Sequence, residues 1–234
     1  MTSAQAITQL ITNIPENKLI FASGLYEERL HGKASESAYY QTLSRMCRTG
    51  TLCRIGKGTY YRPQKGKYGM VPLPQAEIIS AFTAAEAGVV VGYTMYNQLR
   101  LTTQVSKTVE IFSSKVEQQT KNIGNVSLRF YALSYSHEVK AAVCMLEVLQ
   151  NFESIQELNY SQFLQFCKKF AGQYDENAIK QVLEVRQYKK RTLSFLKNIL
   201  DYYGIQNNLN RYLSTLSVYK HPIVEEIYEA AQLS

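Results

Sequence analysis

Gln41, Ser44, Arg45 and Arg48 lie within two helical turns of one another in the stretch Ala34–Pro63, and together they can recognise a polyanion. An arginine can grip a phosphate or give two hydrogen bonds to guanine, and a glutamine can do the same with adenine. Arg54, Lys57 and Thr59 follow closely and are candidates for phosphate or minor-groove contact. No Asp or Glu occurs between Glu36 and Glu77, whereas Arg45, Arg48, Arg54, Lys57, Arg62, Lys65 and Lys67 all fall in that gap. Each Lys or Arg set against a phosphate releases counterions, so a basic run without acids suits such a ligand. A solvated helix face would explain the charge alone. It is the charge combined with the spacing around it that favours DNA.

That spacing predicts the elements that must carry these side chains. Tyr39, Thr42, Leu43 and Met46 stand at i, i+3, i+4 and i+7, one face of a helix. The opposite face then presents Ser37, Gln41, Ser44 and Arg48, flanked by Tyr40 and Arg45. Ser35 is the expected N-cap, and Gly50 ends the helix. Thr51–Ile55 and Thr59–Arg62 read as two short strands around Gly56-Lys57-Gly58, whose glycines are expected to supply the positive φ of a hairpin turn. Upstream, Ser3–Thr12 reads as a helix, Lys18–Phe21 as a strand and Ser23–Leu30 as a second helix, with a turn at His31-Gly32-Lys33. Helix, strand, helix, turn, helix, hairpin is the order of a winged helix-turn-helix. There the last helix enters the major groove and the hairpin lies along the backbone. The candidate DNA-binding set is Ser35, Ser37, Tyr40, Gln41, Ser44, Arg45, Arg48, Arg54, Lys57 and Thr59.

The 234 residues carry a net charge of +7, concentrated at one end. Residues 1–68 hold ten Lys and Arg against four acids, residues 69–135 five against four, and residues 136–234 eleven against eleven. At 45% hydrophobic and 19% charged the chain reads as globular. Three segments are expected: a winged helix-turn-helix at 1–68, a small α/β unit at 69–135 and a helical region at 136–234, α+β in all. Gln64–Met70 is read as the first connector. Gln75–Ala87 is a helix opened by Pro74, with Ile78, Ile79, Phe82 and Ala85 on one side. Val89–Val91 and Thr108–Phe112 are strands, and Thr94–Leu99 is a short helix. Lys121–Ile123 and Val126–Tyr131 form a hairpin about Gly124-Asn125. Beyond His137 the periodicity predicts helices at Glu138–Phe152, Ser161–Phe170, Glu176–Tyr202, Asn207–Ser217 and Pro222–Leu233.

Enzyme chemistry finds little footing. Cys47, Cys53, Cys144 and Cys167 form no CxxC pair, and His31, His137 and His221 are scattered, so zinc-ligand spacing is absent. There is no phosphate-binding glycine loop and no nucleophile motif. The expectation is a protein that is not an enzyme, without catalytic residues, metal or cofactor. It is expected in the cytoplasm with reduced thiols, since no signal peptide or membrane span is read. Lys168-Lys169 and Lys189-Lys190-Arg191 could extend a DNA footprint or face a toxin, but nearby acids balance them and favour solvated helix faces. The tyrosines Tyr202, Tyr203, Tyr212, Tyr219 and Tyr228 read as core residues with hydroxyls at the edge.

Two stretches carry a resemblance. The first is Thr42-Leu43-Ser44-Arg45-Met46, then Gly50, then Arg54-Ile55-Gly56-Lys57-Gly58-Thr59-Tyr60. It resembles the winged-helix signature of the AbiEi-type antitoxins of bacterial type IV toxin–antitoxin systems, a leucine-serine-arginine helix and a glycine-basic-glycine wing ending in tyrosine. The second, Tyr96-Asn97-Gln98-Leu99-Arg100-Leu101-Thr102-Thr103-Gln104-Val105 before the strand Val109–Phe112, is similar to the segment that follows the DNA-binding domain in that family. Arg100 stands where the family often has glycine, and Ser106 where proline is common. The resemblance covers roughly Lys18–Tyr131. It implies an autorepressor of its own operon that binds double-stranded promoter DNA cooperatively, often at inverted repeats, and is compatible with a monomer in solution. It also implies an antitoxin that counters a nucleotidyltransferase-like toxin without a stable complex, with no membrane partner. By position, residues 136–234 would be the antitoxin region. The alternatives are a protein-interaction module built on a winged-helix scaffold with a helical tail, or a plain transcriptional regulator with no toxin.

Overall fold

The computed structural model describes every residue except Met1, Glu117, Thr215, Leu233 and Ser234. The chain is α+β and forms two compact units. One runs to Ala81 and takes in Asn122–Val126; the other is Phe82–Lys121 with Ser127 onward. The segment 69–135 is therefore shared between two units instead of standing alone, a difference from the threefold division expected.

The first unit opens with α1 (Ser3–Thr12), closed at its head by a capping box between Thr2 and Gln5. β1 (Leu19–Phe21), α2 (Ala22–Arg29) and α3 (Glu36–Arg48) follow, then β2 (Cys53–Gly56) and β3 (Thr59–Tyr61). This is the expected order. β3 lies between β1 and β2 in an antiparallel sheet, with Leu19 opposite Tyr61 and Cys53 opposite Tyr61 on the other edge. α1 packs on α3, and Ile7, Ile11, Tyr39, Leu43 and Leu52 are wholly buried in one cluster with Ile20 and Met46. Those side chains orient α3, because its apolar stripe has a single place to go.

The expected connector Gln64–Met70 is instead a second small hairpin, β4 (Lys65–Gly66) and β5 (Gly69–Met70). α4 (Gln75–Thr83) leads out of this unit. It stops short of Ala87 because Ala85 and Glu86 take φ of 51° and 59°, outside the helical range, and Ala85 is exposed rather than on the apolar side.

After α4 the chain forms β6 (Gly88–Val91), α5 (Gly92–Gln98), β7 (Val109–Ser113), β8 (Thr120–Ile123) and β9 (Val126–Phe130), the strands in the order β6-β7-β9-β8. α6 (His137–Gln150), α7 (Tyr160–Gly172), α8 (Glu176–Val185), α9 (Lys190–Tyr202) and α10 (Val224–Gln232) complete it. The single helix expected over Glu176–Tyr202 is broken, since Arg186 leaves α8 in an extended conformation. Its guanidinium donates to the Glu147 carboxylate at 2.8 Å and to the Tyr131 hydroxyl at 2.6 Å, and the Tyr188 hydroxyl donates to the same Glu147 oxygen at 2.7 Å. The rings of Phe112 and Tyr188 each lie 4.9 Å from the guanidinium carbon. Burial pulls the Arg186 pKa down, but Glu147, Tyr188 and Tyr131 together more than offset it, and the net shift is upward. Burial first, and then Glu147, pushes the Tyr188 hydroxyl up. Of the expected helix Asn207–Ser217, only a 3-10 turn at Leu209–Tyr212 forms, and Thr215 lies outside the described residues. The helix expected at Pro222–Leu233 begins at Val224, and Leu233 is likewise outside them. No helix among the described residues is long and apolar enough to cross a membrane.

Candidate nucleic-acid interface

α3 is amphipathic as its spacing requires. Tyr39, Thr42, Leu43 and Met46 are buried, and Ser37, Gln41, Ser44, Arg45 and Arg48 are exposed. Tyr40 is partly exposed, its ring edge-on to Tyr39 at 5.2 Å. Ser35 caps the helix: its Oγ accepts from the Ala38 amide at 3.3 Å. That hydrogen bond gives Ser35 a structural task. Ser35→Ala is expected to cost about 1 kcal/mol of stability, seen as a fall in Tm, while the salt dependence of any DNA binding stays as it was. A changed salt dependence would return Ser35 to the contact set.

The β2–β3 hairpin carries the remaining cations. Arg54 and Lys57 are exposed at its edge and turn. Arg54 Nε donates to the Gly56 carbonyl at 3.2 Å, which holds the side chain along the hairpin rather than under it. Only Gly58 of the two turn glycines takes a positive φ, 64°. Gly56 stays in the strand, opposite Thr59 across a bulge. Thr59 is the one candidate the fold removes. It is 0% exposed, and its hydroxyl donates to the Lys57 carbonyl at 3.3 Å, so it shapes the turn and cannot meet a phosphate. β3 is the central strand of its sheet, and every residue of it is buried. A spacing argument could not see that.

Among the described residues no ion pair uses Arg45, Arg48, Arg54 or Lys57. Arg62, counted with them by sequence, is occupied: its guanidinium donates to the Ile14 carbonyl. Arg45 sits on the flank of α3 that turns toward α1. Its Nη2 is 3.4 Å from Thr42 Oγ1, and it lines a cleft of about 510 Å3 with Thr8, Thr12, Met46 and Thr49. Ser37, Gln41, Ser44 and Arg48 form the outward row, with the Gln41 amide donating to Ser37 Oγ at 3.4 Å. Cys47 and Cys53 are free thiols, and burial raises the Cys47 pKa, which keeps it a protonated thiol.

Arg191 pairs with Glu153 at 3.0 Å. The Tyr203 and Tyr228 hydroxyls lie 3.2 Å apart, and the ring of Tyr202 packs against Tyr228 at 5.6 Å.

No protein-family model matches the chain, and no curated protein matches it. Among solved structures it is similar to the crystal structure of the RV2827C protein from Mycobacterium tuberculosis, at 9% identity and a TM-score of 0.45, over 87% of this chain and 77% of that one. A likeness of that size carries no argument about this chain.

Proposed function

We propose that this protein is a DNA-binding transcriptional autorepressor of the winged helix-turn-helix kind, and the antitoxin of an AbiEi-type pair that counters a nucleotidyltransferase-like toxin without a stable complex. One observation carries the DNA-binding part. Arg45, Arg48, Arg54 and Lys57 are exposed and unpaired among the described residues, on a helix and the hairpin directly after it, with no acid in the sequence between Glu36 and Glu77. Exposed cations left without acid partners can meet backbone phosphates. The outward row Ser37, Gln41, Ser44 and Arg48 offers the donors and acceptors that read base edges.

The antitoxin part rests on the resemblance of Tyr96–Val105. Arg100 takes φ 60°, the left-handed conformation that glycine adopts readily, so the departure from glycine keeps the chain in that conformation. The Asn97 amide donates to the Thr102 carbonyl at 3.3 Å and closes the turn.

A mobility shift with the DNA upstream of the protein's own gene, against a scrambled duplex at two salt concentrations, tests the repressor. Tight binding that prefers the upstream DNA is expected. Weak binding equal on both duplexes and abolished by salt would reduce the surface to generic charge. Co-expression with an adjacent nucleotidyltransferase-like toxin tests the antitoxin, with restored growth the expected result. A second reading, partner-protein binding by the helical region, is favoured by the almost fully exposed Leu216 and Val218 before α10. It predicts that residues 136–234 are essential and the arginines of α3 dispensable.

A further inference from the structure

The hairpin of β4 and β5 stands where the sequence predicts a connector. Lys65 pairs with Met70 and Gly66 with Gly69, and the Val71 amide donates to the Gln64 carbonyl at 2.8 Å to close it. It contributes nothing to the core. Lys65, Lys67, Tyr68 and Met70 are all exposed, and Tyr68 is 94% exposed, almost as open as a side chain can be. Lys67 Nζ stands 5.6 Å from the Tyr68 ring centre, so a cation attends the ring while the rest of it stays open. Neither lysine is in an ion pair among the described residues. The hairpin's place is set by Met70, whose sulfur lies 3.8 Å from Cys53 Sγ at the start of β2 and beside Gly50, just past the end of α3. It therefore rises next to the last turn of α3, which carries Arg45 and Arg48.

The open ring has a cation beside it, a second lysine on the same hairpin and no acid nearby in sequence. It suits a nucleic acid, where cations meet phosphates and a flat ring lies on sugars or base faces. We propose that the Lys65–Met70 hairpin is a second DNA-contacting element of this protein. Lys65 and Lys67 hold backbone phosphates, and the Tyr68 ring lies against the sugars and bases of the groove next to the one α3 enters. This inference rests on the DNA-binding reading and extends its footprint beyond α3 and the β2–β3 hairpin.

The chain has no tryptophan, so Tyr68→Trp in the full-length protein places a lone fluorescent reporter on this hairpin. On titration with the upstream duplex its emission is expected to be quenched in step with the mobility shift. Tyr68→Ala is expected to weaken duplex binding about tenfold at fixed salt. The Lys65→Ala, Lys67→Ala double variant is expected to reduce the slope of log affinity against log salt by about two. All these positions are exposed, so the circular dichroism spectrum should not move. Unchanged emission while the duplex demonstrably binds overturns the proposal, as does an unchanged salt slope in the double variant. Wild-type protein that binds no duplex overturns the DNA-binding reading itself, an outcome scored on the unmodified chain and so separate from the hairpin's own failure.

Discussion

Changing Arg45, Arg48 and Lys57 together to alanine is expected to weaken binding to the protein's upstream DNA by a factor on the order of a hundred at moderate salt. The salt dependence should flatten at the same time. Each phosphate contact adds about 0.9 to the slope of log affinity against log salt, so removing those of Arg45 and Lys57 should lower it by close to two. All three side chains are exposed and outside the core cluster. The two arginines also lie in the last turn of α3, where a cation favours the helix terminus by a few tenths of a kcal/mol. A thermal melt run beside the mobility shift separates the two effects. A small fall in Tm with a large fall in affinity is the expected pattern. Full affinity in the triple variant would remove the mechanism proposed for this surface. The single substitutions then divide the roles. Arg48, in the outward row, should change preference between duplexes. Arg45, turned toward α1, should change affinity about equally for all of them.

The second large effect is on stability. Arg186→Ala is expected to destabilise the protein by about 3–5 kcal/mol, because it leaves the Glu147 carboxylate buried without its cation. Glu147 has 7% of its side chain exposed and Arg186 20%, so water can replace little of what is lost. For a chain of this length that is a fall in Tm of roughly 10 °C. Replacing both partners, Glu147→Leu with Arg186→Met, should recover much of the loss, since no buried charge then remains. Thermal unfolding followed by circular dichroism gives both numbers. A double variant as unstable as the sum of the singles would mean that the pair is not the unit that holds this region. DNA binding is assigned to the other unit and should survive at temperatures below the new midpoint.

How much of this was legible beforehand follows the range of the forces. α3 could be read residue by residue because a helix is local: its four buried positions, its serine cap and its exposed row all follow from a 3.6-residue period. The β2–β3 hairpin was legible from its turn, although only Gly58 needed the freedom that glycine gives. The alternation of β3 could not be read in the same way, since a central strand has neighbours on both edges and Thr59 is enclosed by them. The Lys65–Met70 hairpin is not legible in the sequence because it has no apolar alternation. It is a backbone structure positioned by Met70.

The sequence by itself determined the basic, acid-free N-terminal stretch, the order of its helices and strands, and which face of α3 turns to solvent, because charge and periodicity act over a few residues. Tertiary structure alone decided that Thr59 is withdrawn from the surface and Arg62 tied to the Ile14 carbonyl, that Tyr68 stands exposed beside Lys67 on a second hairpin, and that α8 and α9 are separate helices. The last case shows the physical reason. Local propensity would carry one helix through Arg186, but Glu147, distant in sequence, offers that guanidinium an ion pair inside a wall of aromatic rings. A buried carboxylate without a cation would cost more than the few helical hydrogen bonds given up at the break.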